Sequence, residues 1–231
     1  MTVAMLLLAS GRSVRFGGDV PKVFLECRGR SILERSLERL AMLSDDREIV
    51  LAVHPEDRSR FLQPLLPRLQ QLGLTRVVAG GGTRQQSMQN ALAAAGPHCD
   101  LVLVHDAARP FFPVAAARTA IDRARVVGAA LLAIKAPDTL KQVDAALRVV
   151  ATIDRGAIWY AQTPQVARRE LLERALARAD QDGFSGTDDM SLLEHIGATV
   201  EVVAGATTNL KITTREDLAI AAAIAALEDP A

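Results

Sequence analysis

Residues 3–22 read VAMLLLASGRSVRFGGDVPK, and this order of residues decides the class of fold. The first six are all apolar, as in a strand of a parallel sheet that is covered on both faces. Small and basic residues follow directly, and Pro21 and Lys22 close the segment. Ligands of parallel sheets bind where the strands end. The pattern therefore predicts a buried first strand whose loop forms part of a binding site.

Apolar runs typical of strands alternate with helical patterns over most of the chain beyond this segment. The further apolar runs lie at residues 49–53, 76–78, 101–104, 129–134, 200–203 and 210–212. The helical patterns begin near Ser31 and then cover about residues 61–72, 84–95, 115–127, 168–179, 188–195 and 214–227. This alternation predicts an α/β fold of three layers, in which helices cover both faces of a mostly parallel sheet.

Local signals mark some boundaries of this pattern. Ser31 and Glu34 have the spacing of a capping box, which starts a helix, and Thr214 is placed to cap the last one. Residues 138–150 consist of short alternating pieces around a turn, which predicts a hairpin that leaves the main body. We therefore expect one domain over residues 1–231, with a protruding β-arm at about residues 138–162.

The composition is that of an ordinary globular protein and argues against several functions. The 231 residues carry 27 Lys and Arg against 27 Asp and Glu, so no net charge draws the protein to nucleic acid or to a membrane surface. No apolar run approaches the roughly 18 residues of a membrane span. The two cysteines, Cys27 and Cys99, have no metal-binding or redox spacing, which predicts reduced thiols and a cytoplasmic protein.

The loop after the first strand has the residues to hold phosphate groups. Its small residues at 9–11 let the backbone approach a ligand closely, and Arg15 and Lys22 supply two positive charges. The loop lacks the Gly-Lys-Ser/Thr ending of a Walker A motif and the Gly-x-Gly-x-x-Gly of a dinucleotide-binding motif. Taken alone, the same pattern also fits a flexible surface loop whose basic side chains are solvated.

A second group of polar residues follows the apolar run at residues 101–104. It reads HDAARP over residues 105–110 and places Asp106 at the edge of the sheet, where a carboxylate can meet a metal ion or a substrate hydroxyl. The alternative is a strand-end carboxylate that forms a salt bridge with Arg109. For His105 alone, a buried structural histidine is the better interpretation.

The HDAARP sequence resembles the corresponding block of the 2-C-methyl-D-erythritol 4-phosphate cytidylyltransferases, members of the sugar nucleotidyltransferase superfamily. The first loop resembles the signature loop of that superfamily, which wraps a nucleoside triphosphate. Further matching blocks occupy residues 81–87, 137–141, 152–155, 163–165, 187–189 and 209–213. The matches run from residue 3 to residue 217 in the order of the family, so the resemblance is far more specific than any single motif.

The resemblance implies a Rossmann-like nucleotidyltransferase fold and a role for each matched residue. The catalytic residues, which would stabilise the triphosphate and the transition state, are Arg15, Lys22 and Lys211. The nucleotide-binding residues are Leu8, Ala9, Ser10, Gly11, Gly81, Gly82, Ser87 and Ala107, with Arg84 bracing the loop. The acceptor-binding residues are Asp106, Thr139, Arg155, Thr163 and Thr187.

The resemblance also implies a cofactor and a quaternary structure. Mg²⁺ would bridge the phosphates of CTP, with Asp106 as a candidate protein ligand. The arm would reach over a neighbouring subunit, which predicts a homodimer whose sites are completed near the interface. Three positions depart from the family pattern. Ser13 stands where many relatives have a glycine, Gly82 where some have an acidic residue, and Thr208 where some have an aspartate.

The expected reaction joins the phosphate of 2-C-methyl-D-erythritol 4-phosphate to the α-phosphate of CTP, giving 4-diphosphocytidyl-2-C-methyl-D-erythritol and pyrophosphate in non-mevalonate isoprenoid biosynthesis. A phosphate monoester has a second pKa of about 6, so the attacking group needs no general base and catalysis rests on cations and positioning. Ribitol 5-phosphate as the acceptor and a non-catalytic nucleotide-binding paralogue remain as alternatives. A former fusion to a bifunctional enzyme is a third, although we expect a single activity here.

Overall fold

The computed structural model of the protein describes residues 2–12 and 16–229. Its strands are β1 (Thr2–Ala9), β2 (Glu26–Cys27), β3 (Arg30–Ser31), β4 (Arg47–Val53), β5 (Leu74–Ala79), β6 (Cys99–Asp106), β7 (Ala129–Lys135), β8 (Leu140–Val143), β9 (Val149–Ile153), β10 (Trp159–Arg168) and β11 (Glu201–Ala204). Its α-helices are α1 (Ile32–Ala41), α2 (Leu66–Gln71), α3 (Arg84–Ala94), α4 (Val114–Val127), α5 (Arg169–Asp182), α6 (Asp189–His195) and α7 (Arg215–Glu228). A 3-10 turn (Lys22–Phe24) follows the first loop, and a π-helical turn (Arg58–Leu62) precedes α2.

Seven of the strands form one sheet in the order β11-β7-β10-β6-β1-β4-β5. Every neighbouring pair is parallel except the two made by β10, which runs antiparallel to both β6 and β7. The prediction of a mostly parallel α/β sheet is therefore confirmed. Because β6, β1 and β4 are adjacent and parallel, their carboxyl ends lie side by side at one edge of the sheet.

Strand β1 is buried on both faces, as its unbroken apolar sequence predicts. Met5 and Leu7 belong to the core on one face, and Ala4 and Leu6 belong to the core on the other. Helices α1, α2 and α4 cover the first face, and helices α3, α5 and α6 cover the second. A fully buried Leu or Met contributes roughly 1.5–3 kcal/mol. These contributions hold β1 at the centre of three layers.

Helix α1 begins with the predicted capping box. The Glu34 N–H donates to Ser31 Oγ at 3.1 Å, and the Ser31 N–H donates to the Glu34 carboxylate at 2.7 Å. Thr83, Asp188 and Thr214 begin α3, α6 and α7 in the same way. These side chains satisfy N–H groups that a helix leaves unpaired at its start, so they fix where each helix begins.

Strands β8 and β9 form a separate hairpin, as predicted for the arm. Its turn is fixed by Asp144 Oδ1, which accepts hydrogen bonds from the N–H groups of Ala146 and Arg148 at 2.9 and 3.0 Å. The hairpin leaves apolar side chains exposed, among them Leu147 at 82% and Val149 at 60%. Residues 159–162, the end of the range expected for the arm, lie in β10 of the main sheet.

The predicted strand at residues 210–212 is wrong. The segment pairs with no strand in the described part of the chain, and the Ile212 N–H instead donates to the Ala108 carbonyl at 2.9 Å. Ile212 is fully buried in a small third core, together with Phe16, Phe111 and residues of α7. Its apolar character therefore comes from packing against a helix and not from a sheet.

No helix within residues 2–12 and 16–229 is long and apolar enough to cross a membrane. Both cysteines are buried and form no disulfide bond. Cys27 lies in the small third core, whereas Cys99 begins β6. The two thiols therefore occupy separate parts of the molecule.

Candidate active site

A cavity of about 510 Å³ opens at the carboxyl ends of β1, β4 and β6. Its walls come from the loop after β1, the residue after β4, the turn before α3, the end of β6 and the segment before α7. The described lining residues are Leu8, Ala9, Ser10, Gly11, Arg12, Lys22, Val23, His54, Gly81, Gly82, Thr83, Arg84, Asp106, Ala108, Lys211 and Thr213. The structure therefore brings together most of the predicted nucleotide-binding residues with Lys22, Asp106 and Lys211.

The loop after β1 supplies backbone groups and a cation to this cavity. Residues 8–11, at the end of β1 and just after it, line the cavity. Lys22, the first residue of the 3-10 turn, also lines it. A basic side chain next to a loop of small residues is a suitable environment for phosphate oxygens. Arg15, also predicted to be catalytic, lies outside the described residues.

The turn before α3 packs so closely against the first loop and against α3 itself that only glycine fits at two positions. A Cβ on Gly80 would lie 2.2 Å from Ser10 Cβ, and a Cβ on Gly81 would lie 2.3 Å from Gln86 Cβ. Thr83 then starts α3, and its Oγ1 accepts a hydrogen bond from the Gln86 N–H at 3.1 Å. The positive end of the α3 dipole therefore lies at the cavity, where it favours an anionic or electron-rich ligand group.

Two nucleotide-binding candidates, Ser87 and Ala107, are fully buried behind the cavity and do not line it. Ser87 Oγ accepts a hydrogen bond from the Gly81 N–H at 3.0 Å and lies 2.7 Å from Ser10 Oγ. The Ala107 N–H donates to the Leu8 carbonyl at 2.9 Å. Ser87 thus joins the glycine turn to the first loop, and Ala107 joins the ends of β6 and β1.

Asp106 is the central charged residue of the cavity. Its Oδ1 accepts a hydrogen bond from Arg84 Nε at 3.1 Å, and its Oδ2 lies 2.7 Å from Lys211 Nζ. Arg109 Nε lies 3.9 Å from the same Oδ2. Burial by itself would raise the pKa of this carboxyl, but the three positive charges outweigh it and hold the pKa of Asp106 well below its usual range. Asp106 is therefore ionised at neutral pH.

Arg84 connects Asp106 to Asp189, the first residue of α6. Its Nη1 and Nη2 donate to the two carboxylate oxygens of Asp189 at 2.7 and 2.8 Å. Burial would lower the pKa of the guanidinium, but the two carboxylates raise it further, so Arg84 stays charged. Bidentate pairing fixes the plane of a guanidinium. The position of α6 therefore determines how Arg84 meets Asp106.

The segment before α7 positions Lys211. Asn209 is fully buried, and its Nδ2 donates to the Thr163 carbonyl of β10 at 2.9 Å. Arg109 Nη1 donates to the Asn209 carbonyl at 2.8 Å. These bonds hold the extended segment against the end of the sheet, so Lys211 reaches Asp106 from a fixed backbone.

Thr163, an acceptor-binding candidate, lies behind Asp106 and does not line the cavity. Its Oγ1 accepts a hydrogen bond from the Asp106 N–H at 3.1 Å and lies 3.0 Å from His105 Nδ1. His105 Nε2 lies 3.1 Å from the Arg109 carbonyl, which can only accept, so Nε2 donates and Nδ1 accepts from the Thr163 hydroxyl. Burial lowers the pKa of His105 to about 3, and the neutral ring fits the structural interpretation.

Three further acceptor-binding candidates do not line the cavity. Thr139 and Arg155 are exposed on either side of the arm hairpin, where Arg155 Nη1 donates to the Pro137 carbonyl. Thr187 is exposed in the loop before α6. The roles of Thr139, Arg155 and Thr187 in binding an acceptor stay predictions.

Sequence reasoning did not name every residue of the lining. Arg12 shares the first loop with the predicted cations, and it forms an exposed ion pair with Glu56 at 3.4 Å. His54 follows β4 directly, so applying the strand-end rule to the second predicted strand would have found it. Arg84 was expected only to brace a loop. It binds Asp106, which is 22 residues away in sequence, and Asp189, which is 105 residues away. No local sequence pattern reveals contacts at these separations.

The cavity carries more positive than negative side chains. Its cations are Arg12, Lys22, Arg84 and Lys211, and Asp106 is the one carboxylate among the described lining residues. A positive cleft of this kind suits a polyphosphate. A positive cavity at the strand ends of a mostly parallel α/β sheet, with an ionised carboxylate in its lining, has the features expected of a nucleotidyltransferase.

Comparison with known proteins identifies the family within this class. The model of the IspD family, 2-C-methyl-D-erythritol 4-phosphate cytidylyltransferase, matches residues 3–226. The chain belongs to this family, and it is therefore an enzyme.

Individual relatives agree with the family match. A protein of that name from Solibacter usitatus is 40% identical over 231 aligned residues, covering 96% of this chain and 94% of the relative. One from Geobacillus kaustophilus is also 40% identical, with 98% of each chain covered. The crystal structure of the protein of that name from Thermus thermophilus matches with a TM-score of 0.79 at 33% identity, covering 97% of this chain and 99% of the other. The resemblance drawn from the sequence motifs, and the fold it implied, are confirmed.

Proposed function

We propose that this enzyme transfers the cytidylyl group of CTP to 2-C-methyl-D-erythritol 4-phosphate and releases pyrophosphate. The observation that carries the proposal is the ionised carboxylate of Asp106, held between Arg84 and Lys211 in a positive cavity. An acceptor hydroxyl can donate to this carboxylate while the acceptor phosphate stays among the cations. Membership of the cytidylyltransferase family supports the same assignment.

The nucleophile is a phosphate oxygen of the acceptor, which forms a bond to the α-phosphorus of CTP. The bond that breaks joins this phosphorus to the leaving pyrophosphate. With a second pKa of about 6, the acceptor phosphate is mostly a dianion at neutral pH and needs no general base. His105 is not placed to act as one, because its ring is fully buried and neutral.

Repulsion between the acceptor phosphate and the triphosphate is the main obstacle to reaction. Lys22 and Lys211 both line the cavity, and their charges offset this repulsion and the charge that builds up on the leaving group. Lys211 also neutralises Asp106, so the acceptor phosphate does not approach an uncompensated carboxylate. We assign Arg15, from the same loop as Lys22, to the triphosphate as well.

The backbone of residues 81–83 is assigned to the cytosine base. The turn is rigid because Gly81 packs against Gln86, and Ser87 binds its N–H from behind. Gly82 has no side chain to offer, so base recognition falls to backbone N–H and C=O groups at the start of α3. Ser87 acts here by fixing the turn.

Asp106 is assigned to the acceptor hydroxyls. A carboxylate can accept about four hydrogen bonds, and Arg84 and Lys211 each use one position. The lowered pKa keeps Asp106 a pure acceptor at neutral pH. Thr163 supports it from behind through the Asp106 N–H.

Magnesium fits this site as an ion held mainly by the nucleotide. Asp106 is the only carboxylate among the described lining residues, and cations already engage both of its oxygens. Mg²⁺ commonly binds one or two carboxylates together with substrate phosphates and water. The phosphates of CTP and water would therefore supply most of the ligands of the ion, with Asp106 as the candidate protein ligand, and the ion would neutralise phosphate charge when bound.

We also propose a homodimer in which the arm of one subunit completes the site of the other. Two features support this: Arg155 and Thr139 do not line the cavity of their own subunit, and the hairpin between them exposes Leu147 and Val149. Exposed apolar side chains grouped on one hairpin are typical of an interface. The cytoplasm is the proposed compartment, supported by two buried cysteines that form no disulfide bond.

Pyrophosphate release with CTP and Mg²⁺ tests the proposal, with 2-C-methyl-D-erythritol 4-phosphate and ribitol 5-phosphate compared as acceptors. We expect a strong preference for the former in kcat/KM. A preference for ribitol 5-phosphate would overturn the acceptor assignment and leave the nucleotide site intact. Release with neither acceptor would overturn the proposed activity.

A further inference from the structure

A cluster of potential metal ligands lies at the amino ends of the central strands, whereas the active-site cavity lies at their carboxyl ends. Glu48, His98 and Cys99 each offer one ligand atom, and the three atoms lie within 4.8 Å of one another. Glu48 is the second residue of β4 and Cys99 the first residue of β6, so the cluster lies at the amino ends of these strands. Strand β1 runs between β4 and β6. An ion bound here would join the two strands across the start of β1.

The glycine at position 96 makes this grouping possible. The Gly96 N–H donates to Glu48 Oε2 at 2.8 Å, which leaves Oε1 to face His98 Nε2 at 3.3 Å. A Cβ on residue 96 would lie 2.4 Å from His98 Cε1 and 2.7 Å from Glu48 Oε1. A carboxylate with one oxygen fixed by a backbone N–H is the arrangement that orients metal ligands from the second coordination shell.

The cluster also lies beside a second cavity and among mostly negative charges. Cys99 lines a second cavity of about 520 Å³, together with Pro97, Asp100 and Arg169. The charges that act on the thiol are the carboxylates of Glu48, Asp46 and Asp100, opposed by the guanidinium of Arg169. Negative charge therefore predominates around the ligand atoms.

We propose that Glu48, His98 and Cys99 bind a zinc ion, with a water molecule as the fourth ligand. Thiolate, imidazole and carboxylate are all ligands of zinc, and bond lengths of about 2.0–2.3 Å place tetrahedral ligand atoms roughly 3.3–3.8 Å apart. The ligand atoms lie within 4.8 Å of one another, so the distances between them must shorten by up to about 1–1.5 Å to reach this geometry. The His98 side chain is 61% exposed and free to make such a shift.

Binding must displace the proton of the Cys99 thiol. The proton leaves to solvent as the sulfur–metal bond forms. The bound ion would tie β4 to the turn before β6.

The test is a titration of the full chain with Co²⁺ and then with Zn²⁺ in competition, without CTP and with the cysteines kept reduced. We expect one ion per chain and a thiolate-to-cobalt charge-transfer band. Cys99→Ser should abolish the band and weaken Zn²⁺ binding by at least about 10-fold, because loss of a direct ligand costs no less than loss of a second-shell partner. The matched control is Cys27→Ser, which removes the other buried thiol and should leave both readouts unchanged.

A second variant keeps the proposal falsifiable if Cys99→Ser does not fold. His98→Ala changes an exposed side chain, so we expect it to weaken Zn²⁺ binding while the charge-transfer band persists at high Co²⁺. Zinc should also raise the melting temperature of the native chain but not that of His98→Ala. Absence of the band in the native chain would overturn the proposal. Equal Zn²⁺ affinity in native and His98→Ala protein would also do so.

Discussion

At the scale of single residues, the site depends on a carboxylate that is buried and yet charged. Asp106 keeps its charge because Arg84 and Lys211 contact one oxygen each. Arg84 is in turn held by both oxygens of Asp189. Asp189, Arg84, Asp106 and Lys211 therefore form one connected network of ion pairs. A substitution at any of the four should change how the acceptor binds.

Asp106→Asn should weaken the use of the acceptor much more than the binding of CTP. The variant loses charged hydrogen bonds to acceptor hydroxyls, worth about 1.5–3 kcal/mol, so kcat/KM for the acceptor should fall about 10- to 100-fold. Steady-state kinetics with each substrate varied in turn provides the measurement. A raised KM for CTP with an unchanged KM for the acceptor would contradict the role given to Asp106.

Asp189→Asn should destabilise the protein as well as misplace Arg84. Breaking a buried ion pair by removing one partner costs about 3–5 kcal/mol in the free energy of unfolding, which urea denaturation measures. The control is Asp182→Asn, at a carboxylate near the surface that pairs with Arg178 and His195 and whose loss should cost much less, because solvent screens the pair. An equal loss in the free energy of unfolding in the two variants would contradict the stabilising role given to the buried pair of Arg84 and Asp189.

His105 should make the free energy of unfolding depend on pH in a range above the pKa values of most carboxyl groups. Its pKa is about 3 in the folded protein and about 6.5 in the unfolded chain, so the unfolded state takes up the proton first as pH falls. Stability from this source is complete above about pH 6.5 and declines below it, by at most about 1.4 kcal/mol per pH unit. His105→Gln should flatten the dependence of the melting temperature on pH between 6.5 and 4.5. An unchanged slope would contradict the buried neutral state.

At the scale of elements, the nucleotide side of the cavity rests on how α3 begins. Gly81→Ala should displace this start, because its Cβ would lie 2.3 Å from Gln86 Cβ. We expect an overpacking cost of about 1–3 kcal/mol and a weaker affinity for CTP in calorimetry. Gly82→Ala is the matched control, since its Cβ would meet only the flexible end of Gln86 at 3.3 Å. A larger effect at Gly82 than at Gly81 would count against this account.

The same scale shows what a sequence pattern can and cannot predict. The continuous apolar run of β1 and the capping box at Ser31 are local signals, and both were interpreted correctly. Strand β10 was missed because its buried residues Gln162, Thr163 and Gln165 are polar, and their partners are distant in sequence. The segment around Ile212 resembles a strand in sequence because its apolar residues pack against α7. Such packing needs apolar side chains but no hydrogen bonds to a neighbouring strand.

At the scale of the whole molecule, the proposed homodimer makes a quantitative prediction. Co-expression of Arg155→Ala with Lys211→Ala yields heterodimers in which one site combines the intact Lys211 of one subunit with the intact Arg155 of the other. With random pairing in a symmetric dimer, about one quarter of the native sites are restored. Each variant alone should be inactive. The rate of pyrophosphate release measures the activity of the co-expressed mixture and of each variant alone.

The outcome of this complementation separates the two possible arrangements of the arm. If Arg155 served the site of its own subunit, every site in the heterodimer would carry a defect and no activity would return. A native chain that sediments as a monomer at micromolar concentration would also contradict the proposal.

The candidate site was predictable from the sequence only in part. Lys22, Asp106 and Lys211 were found through blocks that resemble a known family, and the fold brings all three to one cavity. Ser87, Ala107 and Thr163 belong to the same neighbourhood but lie behind it. A motif reports that a residue belongs to a site, whereas the direction of its side chain depends on packing between elements far apart in sequence.

The most direct test of the central claim follows the oxygens of the acceptor. If 2-C-methyl-D-erythritol 4-phosphate labelled with ¹⁸O in its phosphate is incubated with CTP and Mg²⁺, mass spectrometry locates the label among the products. Attack by the acceptor phosphate on the α-phosphorus predicts that all of the label remains in 4-diphosphocytidyl-2-C-methyl-D-erythritol and that the pyrophosphate is unlabelled. Labelled pyrophosphate or labelled free phosphate would contradict the proposed reaction.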